Sequence, residues 1–226
     1  MKGKLIVIDG PDGSGKRTQA EILVKRLMSE GRKAELVSFP QYEGSFFGEL
    51  AGRYLRGEFG PAEGVSPFPA SLAFTMDRWE ARPRIQAWLD AGVVVVADRY
   101  VSSNAGHQAI KVADAGEREA FVRWVERMEY EVLGLPRPDL CVFLHVPWAV
   151  AKGLVARKQE RNYLKGARED VHEADDSHLA RAEQAYLLMA RGAGWRTVEC
   201  CEGGRLRSVE EIAGEVWAAA GKVVGG

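Results

Sequence analysis

The segment VIDGPDGSGKRTQ, at residues 7–19, restricts the possible folds more than any other part of the sequence. Gly10, Gly15 and Lys16 stand where the phosphate-binding pattern G-x-x-x-x-G-K-[ST] requires them. The apolar run LIVID at 5–9 predicts a buried parallel strand before the loop, and a helix is predicted to start near the end of the loop. Strand, glycine loop and helix in this order favour phosphate binding by backbone N–H groups and the helix dipole. A tight strand-to-helix turn with a surface lysine is the alternative.

Several kinds of nucleoside triphosphate-binding protein share this loop. A regulatory GTPase would also carry the base-reading tetrapeptide N-K-x-D, which does not occur in the sequence. Motor and transport ATPases are usually larger than 226 residues. A small chain with this loop therefore favours a nucleotide-type kinase. The residues predicted to bind the triphosphate are Gly10, Pro11, Asp12, Gly13, Ser14, Gly15, Lys16, Arg17 and Thr18.

Length, charge and cysteine count further restrict the possible domain organisation, partners and cellular compartment. The chain is long enough for one large α/β domain and short for two, so one domain over 1–226 is expected. A net charge of −1 gives no field that would attract nucleic acid. No apolar run approaches the ~20 residues that cross a bilayer, so no membrane partner is expected. Cys141, Cys200 and Cys201 lack metal-ligand spacing and are typical of thiols in a reducing cytoplasm.

Strand and helix patterns alternate along the chain, which predicts a parallel sheet covered on both faces. The expected fold class is α/β: a P-loop NTPase-type three-layer fold with roughly five parallel strands and a short basic lid. The charge-rich segment 159–178 is expected to be a mobile flap, and we place the lid at approximately 157–178. Strands are predicted at 5–9, 34–39, 93–100, 140–146 and 195–201. Helices are predicted after the loop, at 68–90, 117–134, 148–160 and 175–192, and from Ser208, which forms a capping-box pattern with Glu211.

Four further stretches lie where a second ligand would bind. SFP at 38–40 ends the second predicted strand, and RPDL at 137–140 leads into the fourth. In LAFTMDRWE, Phe74 and Arg78 are one helical turn apart and therefore share a face. DRYVSSNAGHQ at 98–108 follows the strongest strand pattern, so it lies at the carboxyl edge of the sheet. Open α/β sheets bind their ligands at this edge.

In this order, the motifs resemble the thymidylate kinase family. G-x-D-G-x-G-K, F-P, F-x-x-x-R-W, D-R-Y-x-x-S, P-D-L and a basic flap run over nearly the whole chain. The resemblance implies transfer of phosphate from ATP to dTMP, with Mg²⁺ as cofactor. It also implies a homodimer, for which the apolar stripe of helix 117–134 would serve, although core packing explains that stripe equally well. The alternatives are another (deoxy)nucleotide or deoxynucleoside kinase of this fold, or a nucleotide-binding module without transfer activity.

The resemblance also implies which residues bind the acceptor nucleotide. Phe74 would stack on the pyrimidine, and Arg78 would reach a base oxygen. Arg99 would hold the acceptor phosphate, because a guanidinium can donate to two oxygens at once. Ser103 and Asn104 would bind the base edge. The other residues expected in this pocket are Asp12, Phe39, Pro40, Tyr100, His107 and Gln108.

Phosphoryl transfer requires positive charge around the transferred group. Some thymidylate kinases carry an arginine directly after the acidic loop residue, whereas others have glycine there and use basic flap residues. The pair Asp12-Gly13 places this chain with the second kind. Asp12 would orient the sugar 3′-hydroxyl or act through water on the metal, and Asp170 and Glu173 would contact the acceptor when the flap closes. The expected catalytic residues are Asp12, Lys16, Arg99, Arg157 and Arg161, with Lys158, Lys165 and Arg168 as further flap candidates.

Arg17 departs from the loop pattern, because a Ser or Thr hydroxyl usually holds Mg²⁺ at this position. Thr18 does not replace that hydroxyl, since successive helical residues point about 100° apart. Two hypotheses follow. In the first, Mg²⁺ is held by the triphosphate, by water and by Asp98, the acid at the end of the strongest strand. In the second, Arg17 supplies part of the metal's charge.

Overall fold

Five strands form one parallel sheet in the order β2-β3-β1-β4-β5, and the predicted three-layer α/β class is confirmed. These features come from a computed structural model that describes residues 2–61, 64–155 and 176–225. Two short strands, β6 and β7, form a separate antiparallel pair near the carboxyl end. The strands are β1 Leu5–Asp9, β2 Ala34–Ser38, β3 Val94–Asp98, β4 Leu140–His145, β5 Trp195–Glu199, β6 Cys201–Glu202 and β7 Arg205–Leu206.

Helices connect the strands and cover the sheet. They are α1 Lys16–Ser29, α2 Phe46–Leu55, α3 Pro67–Asp90, α4 Val101–Ala109, α5 Ala115–Glu126, α6 Trp148–Val155, α7 Asp176–Met189 and α8 Val209–Val224. A π-helical turn, Arg127–Val132, continues α5. The predicted capping box at the start of α8 is present, because the Ser208 and Glu211 side chains each bond the other residue's backbone N–H.

Alternate residues of the central strands face two hydrophobic layers. Ile6 and Ile8 of β1 point towards α1 and α8, where Leu23 and Val216 are buried. Leu5 and Val7 of the same strand belong to the opposite layer, which α3, α4 and α5 cover. Both faces of β1 are therefore buried from solvent, which explains why its sequence is a continuous apolar run and does not alternate between apolar and polar residues.

Several boundaries differ from the predicted ones. The strand predicted over 93–100 ends at Asp98, because Arg99 turns the backbone with φ of 66°. The helix predicted over 117–134 is α-helical only to Glu126 and π-helical beyond it. Helices α2 and α4 were not predicted; α4 contains the S-S-N-A-G-H run, whose residues have modest helix propensity. Within the described ranges, no helix is both long enough and apolar enough to cross a membrane.

Candidate active site

The loop between β1 and α1 encloses the ammonium group of Lys16. Gly10 has φ of 150°, and a Cβ at this position would lie 2.6 Å from the carbonyl oxygen of Leu144 in β4. The close approach of the loop to β4 therefore requires glycine. Lys16 is 7% exposed, and its Nζ donates to the carbonyl oxygens of Gly10 and Pro11 at 3.0 and 2.8 Å. The loop therefore holds a fixed cation beside the positive end of helix α1.

A second cation reaches the same place from the end of β3. Arg99 has the left-handed backbone that is uncommon outside glycine and that clusters at functional sites. Its Nη2 bonds the Asp12 carboxylate, and its Nη1 donates to Ser103 Oγ at 3.3 Å. Lys16 Nζ lies 3.7 Å from the same oxygen of Asp12. Burial opposes the charge of Arg99, but the Asp12 carboxylate raises the pKa of Arg99 well above its ordinary value. Two of the predicted catalytic residues, Lys16 and Arg99, thus contact a third, Asp12.

Beside this charged group, side chains of α3, α4 and the π-helical turn contact one another. Phe74 is half-buried, and its ring packs edge-on against Tyr54 with 5.8 Å between the ring centroids. Arg78 is 2% exposed, and its Nε and Nη2 each donate to the Glu129 carboxylate at 2.6 Å. Asn104 Nδ2 donates to Glu129 Oε1 at 3.0 Å. Arg78 and Asn104 are therefore joined through a carboxylate that was not expected. Phe74 lies one helical turn before Arg78 on α3, and its stacking on a base stays a prediction.

The other residues predicted for the acceptor pocket differ in burial: Pro40 is half-buried, whereas Phe39, Tyr100, His107 and Gln108 are buried. Phe39 and Tyr100 belong to the core beside the sheet, with ring centroids 6.0 Å apart, and the Tyr100 hydroxyl donates to a main-chain carbonyl at 3.1 Å. Pro40 follows Phe39 through a cis peptide bond. His107 and Gln108 lie on α4 and are 9% and 1% exposed. Direct contact between these side chains and a ligand stays a prediction.

The predicted catalytic lid falls on a part of the chain that the structure does not describe. Residues 156–175 lie outside the described ranges, and α7 begins directly after them at Asp176. The predictions made for this segment concern Arg157, Lys158, Arg161, Lys165, Arg168, Asp170 and Glu173.

Comparisons with known proteins identify the family. The family model described as Thymidylate kinase matches residues 8–197. The chain belongs to the thymidylate kinase family. The thymidylate kinase of Mycobacterium tuberculosis is 35% identical over 193 residues, which cover 85% of this chain and 88% of the relative. The human thymidylate kinase is 36% identical over 167 residues, which cover 74% of this chain and 71% of the relative.

A solved structure agrees with this assignment. The thymidylate kinase of Candida albicans superposes with a TM-score of 0.74 at 25% identity, covering 98% of this chain and 92% of that one. Thymidylate kinases are phosphotransferases, so the expectation that this chain is an enzyme of that class is confirmed.

Membership of the thymidylate kinase family implies a magnesium ion, and the residues at the end of β3 fit one. Asp98 Oδ1 is buried and has no hydrogen-bond partner among the described residues. Burial raises the pKa of Asp98, while the neighbouring cations Lys16 and Arg99 lower it. Mg²⁺ prefers oxygen ligands and keeps several waters, so an unpaired buried carboxylate oxygen suits a metal-bound water. Asp98 is the residue that would hold the ion's hydration shell.

Arg17 is held at the edge of the site rather than pointing freely into solvent. Its Nε donates to Glu21 at 2.6 Å, and its Nη1 donates to Ser38 Oγ at the end of β2. Arg17 is exposed, as is Thr18 on the next helical position. The guanidinium therefore has one partner on α1 and one at the end of β2, and it would have to leave or share them to contact a phosphate.

Sequence reasoning did not identify Asp9 as a site residue. Its carboxylate is fully buried and accepts hydrogen bonds from Ser102, Ser103 and Tyr186 at 2.5, 2.7 and 2.8 Å. Asp9 thereby links the start of the loop to α4 and to α7, which follows the undescribed segment. A carboxylate ending a buried strand directly before the loop was the available signal. Nothing in the sequence pairs it with Tyr186, which is 177 positions away.

The buried ammonium of Lys16 gives a pH-dependent prediction. Burial, with Arg99 as a further cause, lowers the pKa of Lys16 from its ordinary 10.5 to about 8. Between these two values the unfolded chain binds more protons than the folded one, so the free energy of unfolding contributed by Lys16 rises with pH. Denaturant titrations of the unliganded protein between pH 7 and 10.5 should therefore show wild type gaining stability relative to Lys16→Met. A constant difference over this window would show that the ammonium is not desolvated.

Proposed function

We propose that the protein transfers the γ-phosphate of ATP to dTMP and releases ADP and dTDP. An oxygen of the dTMP phosphate attacks the γ-phosphorus, and the bond from that phosphorus to the bridging oxygen of ADP breaks. The observation that carries the proposal is the contact of Lys16 and Arg99 with one carboxylate, Asp12. These cations come from the donor loop and from the acceptor motif, so they meet where two phosphate groups would meet.

The chain's own contribution to this reaction is alignment and neutralisation of charge. Two anionic phosphates repel one another as they approach, and positive groups in a dry site lower that barrier most effectively. Lys16 would bind the outer phosphates of ATP, and Arg99 would bind the dTMP phosphate through charge-assisted hydrogen bonds worth about 1.5–3 kcal/mol each. Asp12 contacts both cations, and it would orient the sugar 3′-hydroxyl or act through water on the metal.

The base would be bound beside Phe74. Stacking of a pyrimidine on an aromatic ring contributes about 1–3 kcal/mol. Arg78, Ser103 and Asn104 would supply the polar groups around the base edge. The metal, which when bound would neutralise further phosphate charge, belongs with Asp98. The roles of Arg157 and Arg161, the homodimer and a cytoplasmic location are further parts of the proposal, and they rest on the family resemblance.

A coupled assay that follows ADP release with ATP, Mg²⁺ and dTMP tests the proposal directly. Activity with dTMP well above that with dUMP, dCMP or the ribose analogue of dTMP is expected. A different preferred acceptor would identify another nucleotide kinase of the same fold. Nucleotide binding that raises the melting temperature without ADP formation would identify a binding module.

Exchange of Arg17 for Thr separates the two hypotheses for the metal. If Arg17 supplies part of the metal's charge, the variant should lose more of its rate than wild type does as Mg²⁺ is withdrawn, because the cation that shares the metal's role is gone. The measurement is the initial rate against Mg²⁺ concentration at saturating ATP and dTMP. Arg26→Thr, which changes an exposed arginine on the same helix, is the matched control. An unchanged metal requirement would leave the first hypothesis, in which ATP, water and Asp98 suffice.

A further inference from the structure

Glu129 is a fully buried carboxylate in the π-helical turn, and four donor groups surround it. Arg78 donates to it twice, with 2.6 Å for each bond, and Thr75 Oγ1 donates to Oε1 at 2.9 Å. Asn104 Nδ2 donates to the same oxygen at 3.0 Å. These partners come from α3 and α4, and two of them, Arg78 and Asn104, are the residues expected at the base edge. Single π-helical turns occur frequently at functional sites.

The carboxylate determines which way the Asn104 amide faces. An ionised carboxylate can only accept hydrogen bonds, so the amide group nearest to it must be the NH₂. The same NH₂ also donates to Thr75 Oγ1 at 3.1 Å and to the Ser71 carbonyl at 3.2 Å. Both contacts are longer than the charge-assisted one, which is the stronger type. The amide orientation is therefore set by three acceptors, with Glu129 contributing most.

The oxygen of the same amide has no hydrogen-bond partner in the part of the chain that the structure describes. Asn104 is 3% exposed, and its Oδ1 is buried without a hydrogen bond among the described residues. A buried acceptor in this state costs free energy unless a ligand donates to it. Asn104 Nδ2 contacts Ser71 and Thr75, which lie within one helical turn of Phe74 on α3, so the amide that carries the unpaired oxygen lies beside the expected base pocket. The pocket thus offers an acceptor, from Asn104, together with a donor, from Arg78.

We propose that Glu129 is a positioning residue that makes this pocket select 4-oxopyrimidines over 4-aminopyrimidines. Thymine and uracil carry a donor at N3 and an acceptor at O4, which complement Asn104 Oδ1 and the Arg78 guanidinium. Cytosine carries an acceptor at N3 and an amino group at C4, so both positions would be mismatched. The proposal rests on the proposed function, because it assumes that the base of the acceptor nucleotide lies on Phe74.

Exchange of Glu129 for Gln tests the proposal, because glutamine keeps the shape and adds a donor. The new NH₂ can donate to Asn104 Oδ1, which lets the Asn104 amide turn and present its own NH₂ to the base. Equilibrium binding of dTMP and dCMP by calorimetry should show the dTMP-to-dCMP affinity ratio falling by about tenfold, the size expected for one buried hydrogen-bond mismatch. The loss is partial because the Ser71 carbonyl still favours the original orientation.

The matched control is Glu131→Gln, which changes an exposed glutamate in the same π-helical turn and should leave the ratio unchanged. A fall in affinity for both nucleotides by the same factor would overturn the proposal, since a merely structural role would have that effect. If Glu129→Gln does not fold, Asn104→Ala provides the test. It removes the oriented oxygen, so the ratio should fall by at least as much, and an unchanged ratio would overturn the proposal.

The proposed function is judged separately by the wild-type protein. If wild type prefers dTMP to dCMP and forms no ADP, and Glu129→Gln lowers the ratio, the proposed transfer fails and the role of Glu129 stands. If wild type phosphorylates dTMP and Glu129→Gln keeps the full ratio, the transfer stands and the role of Glu129 fails. In a protein that folds with both substitutions, the effects of Glu129→Gln and Asn104→Ala on the ratio should be less than additive, because one acts through the other.

Discussion

Lys16→Met is expected to lower kcat by about a thousandfold while the protein remains folded, because loss of a single preorganised charge-stabilising group typically has an effect of this order. Lys16 is fixed by two backbone carbonyls, and no other lysine lies in the loop. Methionine has nearly the same length and no charge. The variant therefore removes the cation and leaves the loop filled.

Stability should move in the other direction. The pKa of Lys16 is lowered by burial, which means that holding the ammonium in this place opposes folding. An apolar side chain avoids that cost, so the free energy of unfolding at neutral pH should be unchanged or higher in Lys16→Met. Steady-state rates and denaturant titrations measure the two effects. Lys25→Met, on the exposed side of α1, is the control for adding a methionine to this helix.

A loss of activity that accompanies a large loss of stability would contradict this account, because it would make Lys16 a structural residue of the loop. A rate within tenfold of wild type would contradict it as well, and would assign the charge near the transferred phosphate to other cations. The same variant serves as the reference for the pH dependence of wild-type stability, so one protein tests both consequences of the buried ammonium.

The parts of the site that could be predicted depend on short sequence distances. The strand before the loop is an uninterrupted apolar run, and the positions of Gly10 and Lys16 follow from one motif. Phe74 and Arg78 share a face because four residues make about one helical turn. Asp98 and Arg99 are placed at the sheet edge because a strand ends there. Each of these inferences needs only a neighbouring stretch of chain.

The parts that could not be predicted depend on contacts between distant elements. Glu129 occurs in RMEYEV, where charged residues are as frequent as apolar ones, and nothing local distinguishes the buried Glu129 from the exposed Glu131. Its burial results from Arg78, which is 51 positions earlier and neutralises it. The sequence predicts only that Asp9 ends a strand, whereas the hydroxyl groups that donate to it lie on helices α4 and α7. No local pattern contains this information.

Helix α4 shows a related limit. Its residues Ser102, Ser103, Asn104 and Gly106 are weak helix formers, so propensity favours a loop. In the folded chain, the same residues are useful because small polar side chains let α4 approach β1 and α3 closely. Gly106 lies under the Tyr186 ring, where a Cβ would be 3.6 Å from the nearest ring atom and 3.2 Å from the Met189 methyl group. Tertiary packing has thus overridden local preference in the segment that carries the most polar site residues.

Arg99→Ala and Arg99→Gly should lose activity equally and differ in stability. Both variants remove the guanidinium, which would bind the acceptor phosphate through two charge-assisted hydrogen bonds. Their loss corresponds to about 3–6 kcal/mol, so kcat/KM for dTMP should fall by at least about a hundredfold in each. The two differ only at Cβ, and Arg99 has φ of 66°. Glycine adopts this conformation without steric cost, whereas alanine carries a penalty of about 1–2 kcal/mol.

The Gly variant should therefore be more stable than the Ala variant by about 1 kcal/mol, once the greater flexibility of its unfolded chain is included. Thermal and denaturant unfolding of the pair measures this difference, and both variants lose the Asp12 contact, so that loss cancels. Equal stabilities would show that the backbone at Arg99 relaxes when the guanidinium is removed. In that case Asp12 and the phosphate-binding side chain, rather than the end of β3, would hold the left-handed conformation. If instead the Gly variant is the more stable one, the end of β3 holds Arg99 in an unfavourable backbone conformation. Glycine would relieve this strain but would be catalytically inactive. The protein then retains the strain because it directs a guanidinium at the acceptor phosphate.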